Sequence, residues 1–184
     1  MQKIISLFQR NYDGDRLVRN EVTPGAEWVI NGEGIATRKW DGTCCMIRDG
    51  ILYKRYDAKK GKAPPAKFIP AQDPDPVTGH WPGWLEVTTA KEDRWHNEAF
   101  LNTDFGSLSY DGTYELVGPK INGNKDGFEK HLLIAHSDSI ITGAPIAFDG
   151  LKAWFAEMDI EGIVWHHPDG RMVKIKKKDF GYKW

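Results

Sequence analysis

A lysine attacks an electrophile only through its neutral amine, and Lys39-Trp40-Asp41-Gly42-Thr43 sets one such side chain beside a turn. Asp-Gly tolerates a tight turn, so Lys39 ends one strand-like run and Asp41-Gly42 leads into the next. Alone, Lys-x-Asp-Gly recurs by chance and reads as a surface hairpin. Three further segments change its weight. Tyr114-Glu115-Leu116-Val117-Gly118 is strand-like with one carboxylate among apolar residues, and Glu161-Gly162-Ile163-Val164-Trp165 repeats the design. Val173-Lys174-Ile175-Lys176 puts two lysines on one strand face, because strand side chains alternate. Charges on half-buried faces are costly unless paired or bound to an ion. The four segments together point to one polar groove.

The elements that must position these residues are mostly strands. Runs rich in Ile, Val, Thr, Trp and Tyr, split by glycine-bearing turns, predict strands over 27–30, 35–39, 43–48 and 51–56. Arg48-Asp49-Gly50-Ile51 reads as a hairpin turn. Strands return at 112–117, 131–135, 162–165 and 172–176. Helices are expected over 91–101 and 150–158. The second carries Leu151, Trp154, Phe155 and Met158 at helical spacing, a stripe that reads as core. Between 57 and 83 lie six of the ten prolines, and this stretch is expected to be loop. Long β segments with few helices predict an α+β fold with antiparallel sheets.

Composition bounds the remainder. The chain of 184 residues fits one domain, and 40% hydrophobic residues with 8 Trp, 6 Tyr and 8 Phe exclude intrinsic disorder. No apolar run reaches the ~20 residues of a membrane span, and the start turns polar by Gln9, too soon for a secretory signal. Adjacent Cys44 and Cys45 are neither a disulfide framework nor a zinc site, so a reducing, cytoplasmic setting is expected. The formal net charge is −1, yet residues 170–184 sum to +5 and the other 169 to −6. A basic tail on a near-neutral chain suggests a local anion site.

In this order, Lys39-x-Asp41-Gly42, Glu115-Leu116-Val117-Gly118, Glu161-Gly162-Ile163-Val164 and Lys174-x-Lys176 resemble the covalent nucleotidyltransferase superfamily of polynucleotide ligases and capping enzymes. The resemblance runs from about residue 33 to 178. Lys39-Trp40-Asp41-Gly42-Thr43-Cys44, Gly118-Pro119-Lys120-Ile121-Asn122-Gly123-Asn124 and Gly79-His80-Trp81-Pro82-Gly83-Trp84 resemble a small RNA ligase branch of it. The implied fold is an adenylation domain of two packed, largely antiparallel sheets flanked by helices, ATP-grasp-like. DNA ligases and capping enzymes normally add an oligonucleotide-binding-fold domain. The chain ends eight residues past Lys176, so residues 1–184 are expected to form a single nucleotidyltransferase domain with no such module.

The resemblance implies an ATP-dependent RNA ligase that joins 5′-phosphate and 3′-hydroxyl RNA ends, with ATP and magnesium as cofactors. Lys39 would take AMP from ATP, and Lys174 and Lys176 would hold phosphate oxygens as charge develops. Glu161 would be the carboxylate near the metal, and Ile163 lies with the nucleotide. Arg55, or its neighbour Lys54, would contact nucleotide or RNA phosphate. Glu115 would bind the ribose hydroxyls, and His136 would stack on adenine. Many ligases carry a glutamate just before the lysine; Thr37 and Arg38 stand there in this chain. Backbone groups beside Arg38, or Glu33, would then read the adenine amine. Arg94 or His96 would touch RNA phosphate, with Trp95 as an anchor; His80 and Trp81 read as loop packing. RNA would be recruited by the proline-rich loop, the Lys120 to Lys125 loop and the basic tail. The expected state is a monomer with no membrane contact. Two alternatives keep part of this reading: a DNA ligase or capping activity with the same first step, and a non-catalytic nucleotide- or RNA-binding module.

Overall fold

The computed structural model describes residues 3–106 and 110–184. It is α+β, with a four-stranded, a six-stranded and a two-stranded sheet and few helices. The chain divides into two compact units.

The first unit comprises Asp41–His136 with Lys3. Its sheet is antiparallel throughout. In chain order its strands are β5 (Thr43–Arg48), β6 (Ile51–Ala58), β7 (Ile69–Pro70), β8 (Trp81–Glu86), β9 (Gly112–Val117) and β10 (Leu132–Ala135). In space the order is β10-β9-β5-β6-β8-β7. Helix α2 (Arg94–Asn102) follows a 3-10 turn at Lys91–Asp93. Period-two alternation buries Cys45, Ile47, Tyr114, Leu116 and Leu133 on one face, where Ala99 of α2 joins them.

The second unit comprises Ile4–Trp40 and Ser137–Trp184. Strands β1 (Ile5–Ser6), β4 (Ile35–Lys39), β11 (Gly162–His166) and β12 (Met172–Lys176) form a sheet in the order β1-β12-β11-β4. β1 runs parallel to β12, and the other pairs are antiparallel. β2 (Phe8–Arg10) and β3 (Val18–Val22) make a separate hairpin. Ile163, Trp165, Val173 and Ile175 turn one face into the core, where Leu151 and Phe155 of helix α3 (Phe148–Glu157) are fully buried. Each of those two side chains contributes about 2–3 kcal/mol of burial.

Several elements differ from expectation. Residues Glu27–Ile30 form a single helical turn, α1, rather than a strand. Glu27 Oε2 accepts the Gly25 N–H at 2.8 Å and starts the turn. A four-residue apolar run has no period that separates the two states. The proline-rich stretch contains β7 and the start of β8. Pro70 lies in an edge strand, and the Pro82 carbonyl accepts from Ala71 N–H at 3.0 Å. Met158 falls beyond α3 and is 37% exposed, so the predicted stripe ends at Phe155. Strands β1 and β2, of two and three residues, are too short for a periodic signal, and β3, Val-Arg-Asn-Glu-Val, does not alternate.

Candidate functional site

The second unit carries a cluster of three lysines around one carboxylate. Strand register aligns Lys39 with Gly162 and Gly162 with Lys176, so both lysines stand on one face with glycine between them. A Cβ at position 162 would lie 2.3 Å from the Ile175 carbonyl oxygen, so only glycine fits there. The carboxylate of Glu161, 5% exposed, takes the space between the two ammonium groups. Lys39 Nζ donates to Oε2 at 2.5 Å and Lys176 Nζ to Oε1 at 2.6 Å. The Glu161 carbonyl accepts the Lys177 N–H at 2.8 Å, which fixes the backbone behind the carboxylate.

Lys174 lies two residues before Lys176 on the same face. Burial pushes its amine down to about 8, and the charges of Lys176 and Lys39 push the same way against Asp179 and Glu161. Three lysines therefore share a face with a single carboxylate in direct contact. Such a surplus of partly desolvated positive charge is matched by a polyanion. The strand alternation that gathers these lysines turns Arg38 and Ile163 the other way. They are cross-strand partners on the opposite face, with Ile163 fully buried. Arg38 stacks over Trp40 at 4.0 Å and donates to the Asp159 carbonyl at 3.3 Å. Thr37 Oγ1 lies 3.0 Å from His166 Nε2, and Glu33 pairs with His167 at 3.1 Å.

In the first unit, Glu115 aligns with Cys44 on β5, on the face opposite the buried cluster. Glu115 Oε2 lies 2.8 Å from His136 Nε2, and His136 Nδ1 lies 3.0 Å from Thr113 Oγ1. A carboxylate can only accept, so Nε2 carries the proton; in the neutral ring Nδ1 accepts from the threonine hydroxyl. His136 is thus held at the ring edge beside the carboxylate.

The pleat sends Lys54 and Arg55 to opposite faces. Lys54 aligns with buried Cys45 and pairs with Asp93. Asp93 also accepts from Thr88 N–H at 2.8 Å and Thr88 Oγ1–H at 2.9 Å. Arg55 points to the Glu115 and Cys44 face, over Trp84 at 5.1 Å. Burial lowers its guanidinium from the ordinary value.

The Asp41-Gly42 turn is locked from two sides. Asn122 Nδ2 donates to the Gly42 carbonyl at 2.7 Å and to Asp41 Oδ1 at 3.2 Å, and Asp126 Oδ2 accepts the Asp41 N–H at 3.1 Å. A Cβ on Gly42 would meet the Leu116 carbonyl oxygen at 2.3 Å. Asn122 and Asn124 have positive φ, a conformation asparagine tolerates. The 120–125 segment, expected to recruit RNA, therefore also serves as a clamp. Its Asn-Gly-Asn run is the one sign of this in the sequence.

Other candidates are engaged locally. Trp95 stacks on buried His131 at 4.5 Å, and Arg94 lies over the Trp95 ring at 4.3 Å. Burial lowers the His96 imidazole, with Asp93 opposing and Lys54 adding to the shift. His80 pairs with Asp57 at 2.8 Å, and Trp81 donates to the Gln72 carbonyl at 2.8 Å. Cys44 and Cys45 are not joined in a disulfide, and burial raises the Cys45 thiol. Among the described residues no group of three or more His, Cys, Asp or Glu could hold a metal ion. Glu161 as a lone carboxylate fits a magnesium ion held mainly by substrate phosphates and water. No helix among the described residues is long and apolar enough to cross a membrane.

The chain is similar to known proteins over most of its length. The family model described as RNA ligase 1 matches residues 101–184, which hold Glu115, Glu161, Lys174 and Lys176. RNA ligase 1 of Danio rerio is 28% identical over 81% of this chain and 68% of its own length. RNA ligase 1 of Mus musculus is 28% identical over 82% of this chain and 68% of its own. These similarities relate the chain to RNA ligases.

Proposed function

We propose that this relative of the RNA ligase 1 proteins is an ATP-dependent RNA ligase that seals 5′-phosphate and 3′-hydroxyl ends through a lysyl-AMP intermediate. The observation that carries the reading is the convergence of Lys39 and Lys176 on the two oxygens of Glu161, with Lys174 on the same strand face.

The chemistry follows from those groups. The Lys39 amine, freed of a proton, attacks the ATP α-phosphorus; an N–P bond forms, the bond to pyrophosphate breaks, and AMP stays on Lys39. Glu161 aims Nζ beforehand and is the acceptor nearest its departing proton, at 2.5 Å. Lys174 and Lys176 hold phosphate oxygens as negative charge builds, an interaction stronger in the transition state than in the ground state. Glu161 and the substrate phosphates would hold magnesium, which neutralises phosphate charge when bound. Glu115 accepts from the ribose hydroxyls, and His136, oriented by Thr113, lies against adenine. Arg55 receives nucleotide or RNA phosphate. The RNA 5′-phosphate then takes AMP from Lys39, and the RNA 3′-hydroxyl attacks that phosphate and expels AMP.

The order of the four motifs along the chain supports treating residues 1–184 as one nucleotidyltransferase domain. Two adjacent cysteines, too few and too close for a disulfide framework, suit a reducing, cytoplasmic setting. The test is incubation with ATP labelled at the α-phosphate and magnesium, followed by denaturing electrophoresis. Label on the protein that needs ATP and Lys39 is expected, and Lys39→Ala should remove it. Folded protein that binds ATP without covalent label would overturn the mechanism. RNA, nicked DNA duplex and 5′-diphosphate RNA offered to the labelled protein separate the ligase from a DNA ligase or capping enzyme.

A further inference from the structure

Directly after Lys176 the chain turns through a 3-10 segment, Lys177–Phe180, and Asp179 within it is 2% exposed. Phe180 lies beside it in the core, against Phe148 and Phe155. Asp179 Oδ2 accepts the Lys176 N–H at 2.9 Å, and Oδ1 accepts from Arg10 on β2 at 2.5 Å. Arg10 also donates to the Arg16 carbonyl at 2.6 Å, which anchors it to its own hairpin loop. The carboxylate thus ties the end of β12 to the β2–β3 hairpin.

Replacing a buried ion pair with apolar residues of similar size is often neutral or stabilising. Aromatic neighbours are already present, so core stability does not require a charge at position 179. The pair does something an apolar contact cannot: it fixes the backbone N–H of Lys176 in direction as well as distance. We propose that Arg10 and Asp179 are positioning residues that hold Lys176 against Glu161, and so set the geometry of lysine adenylation. The inference rests on the ligase reading above.

The experiment uses the full chain with Arg10→Gln, Asp179→Asn and the conservative Arg10→Lys. An amide at 179 has one accepting oxygen, so it satisfies one of its two donors and leaves the other. Single-turnover formation of lysyl-AMP is measured across ATP concentrations, and hydrogen exchange over residues 172–180 is measured without nucleotide. The expected result is a maximal rate at least tenfold lower in Arg10→Gln and Asp179→Asn, with half-saturating ATP within twofold. The Lys176 amide should exchange faster while the centre of the sheet stays protected, and Arg10→Lys should recover most of the rate. A maximal rate within twofold of wild type in folded variants overturns the proposal. So does a loss that appears only in half-saturating ATP, or exchange that accelerates across the whole sheet. If Asp179→Asn fails to fold, Arg10→Gln carries the test from its more exposed position. If wild-type protein forms no lysyl-AMP, the ligase reading fails, and unchanged exchange at Lys176 in the variants separately overturns the positioning role.

Discussion

Two lysine–carboxylate contacts in this protein look alike and behave differently. In the first unit Lys54 meets Asp93, which is 1% exposed and also takes two hydrogen bonds from Thr88. One cation meets one anion, and the anion's acceptors are filled by protein. In the second unit Glu161 meets two lysines, and Lys174 adds a third cation on the same face. Burial pushes the Asp93 carboxyl up, but Lys54 and Thr88 outweigh it and hold the group below the usual range. At Lys174 burial and like charge act together, and the amine falls to about 8. A balanced pair is complete in the protein alone, whereas a surplus cluster leaves positive charge that an anionic ligand would complement. On the proposed function, the difference is that between a structural ion pair on one side and a reactive one on the other.

The same exchange at both lysines breaks the comparison most sharply. Lys39→Arg should abolish covalent adenylation, because a guanidinium stays protonated and cannot attack. Lys54→Arg should keep adenylation within about threefold, since a paired cation is all that position requires. Labelling both variants decides it; adenylation by Lys39→Arg sinks the site assignment.

Next in size, Lys176→Ala and Glu161→Gln should slow adenylation by about a hundredfold, the scale seen on removing one group that stabilises developing charge. Thermal unfolding should move little in Lys176→Ala, which relieves surplus positive charge, and should fall in Glu161→Gln, which leaves the lysines without their shared carboxylate, so its rate is read per folded molecule. If the variants unfold while the rate per folded molecule is spared, these residues are structural.

Asp93→Ala should show the opposite pattern. It leaves Lys54 unpaired beneath the sheet and should lower stability by about 3 kcal/mol in urea unfolding. The rate per folded molecule should stay within twofold. The Asp93 carboxyl is lower in the folded chain than the ~3.9 of an unfolded one. Its stabilisation is therefore complete above about pH 4 and is lost as pH falls through the folded value. Asp93→Asn should remove that acid-side component.

A further contrast is the pH response of Lys174. Its folded value of about 8 lies below the ordinary 10.5, so the folded chain releases that proton first as pH rises. Between those values the unfolded state binds more protons, and stability rises with pH. Lys174→Met should flatten that rise in unfolding measured from pH 8 to 10.5; an unchanged profile would show that the amine titrates normally.

Much of this is legible in the amino-acid order. Strands 35–39, 43–48, 112–117 and 172–176 are read to the residue, because period-two alternation between glycine turns is local information. Motif order carries the resemblance to RNA ligases, and the Lys-x-Lys spacing alone puts Lys174 and Lys176 on one strand face. Residues 27–30 escaped, because four apolar residues suit a helical turn as well as a strand.

What only tertiary structure decided were relations between strands far apart in sequence. Register placed Gly162 between Lys39 and Lys176, and so let one carboxylate reach both. The pleat sent Lys54 to Asp93 and Arg55 to the other face, although the two are neighbours in sequence. It also turned Arg38 and Ile163 away from the lysine face. The Asp179 bond to Arg10 joins positions 169 residues apart. Local order determines which face a side chain takes within its strand. Which residues it meets there depends on strand pairing, and that is set by the burial of two whole sheets rather than by any one motif.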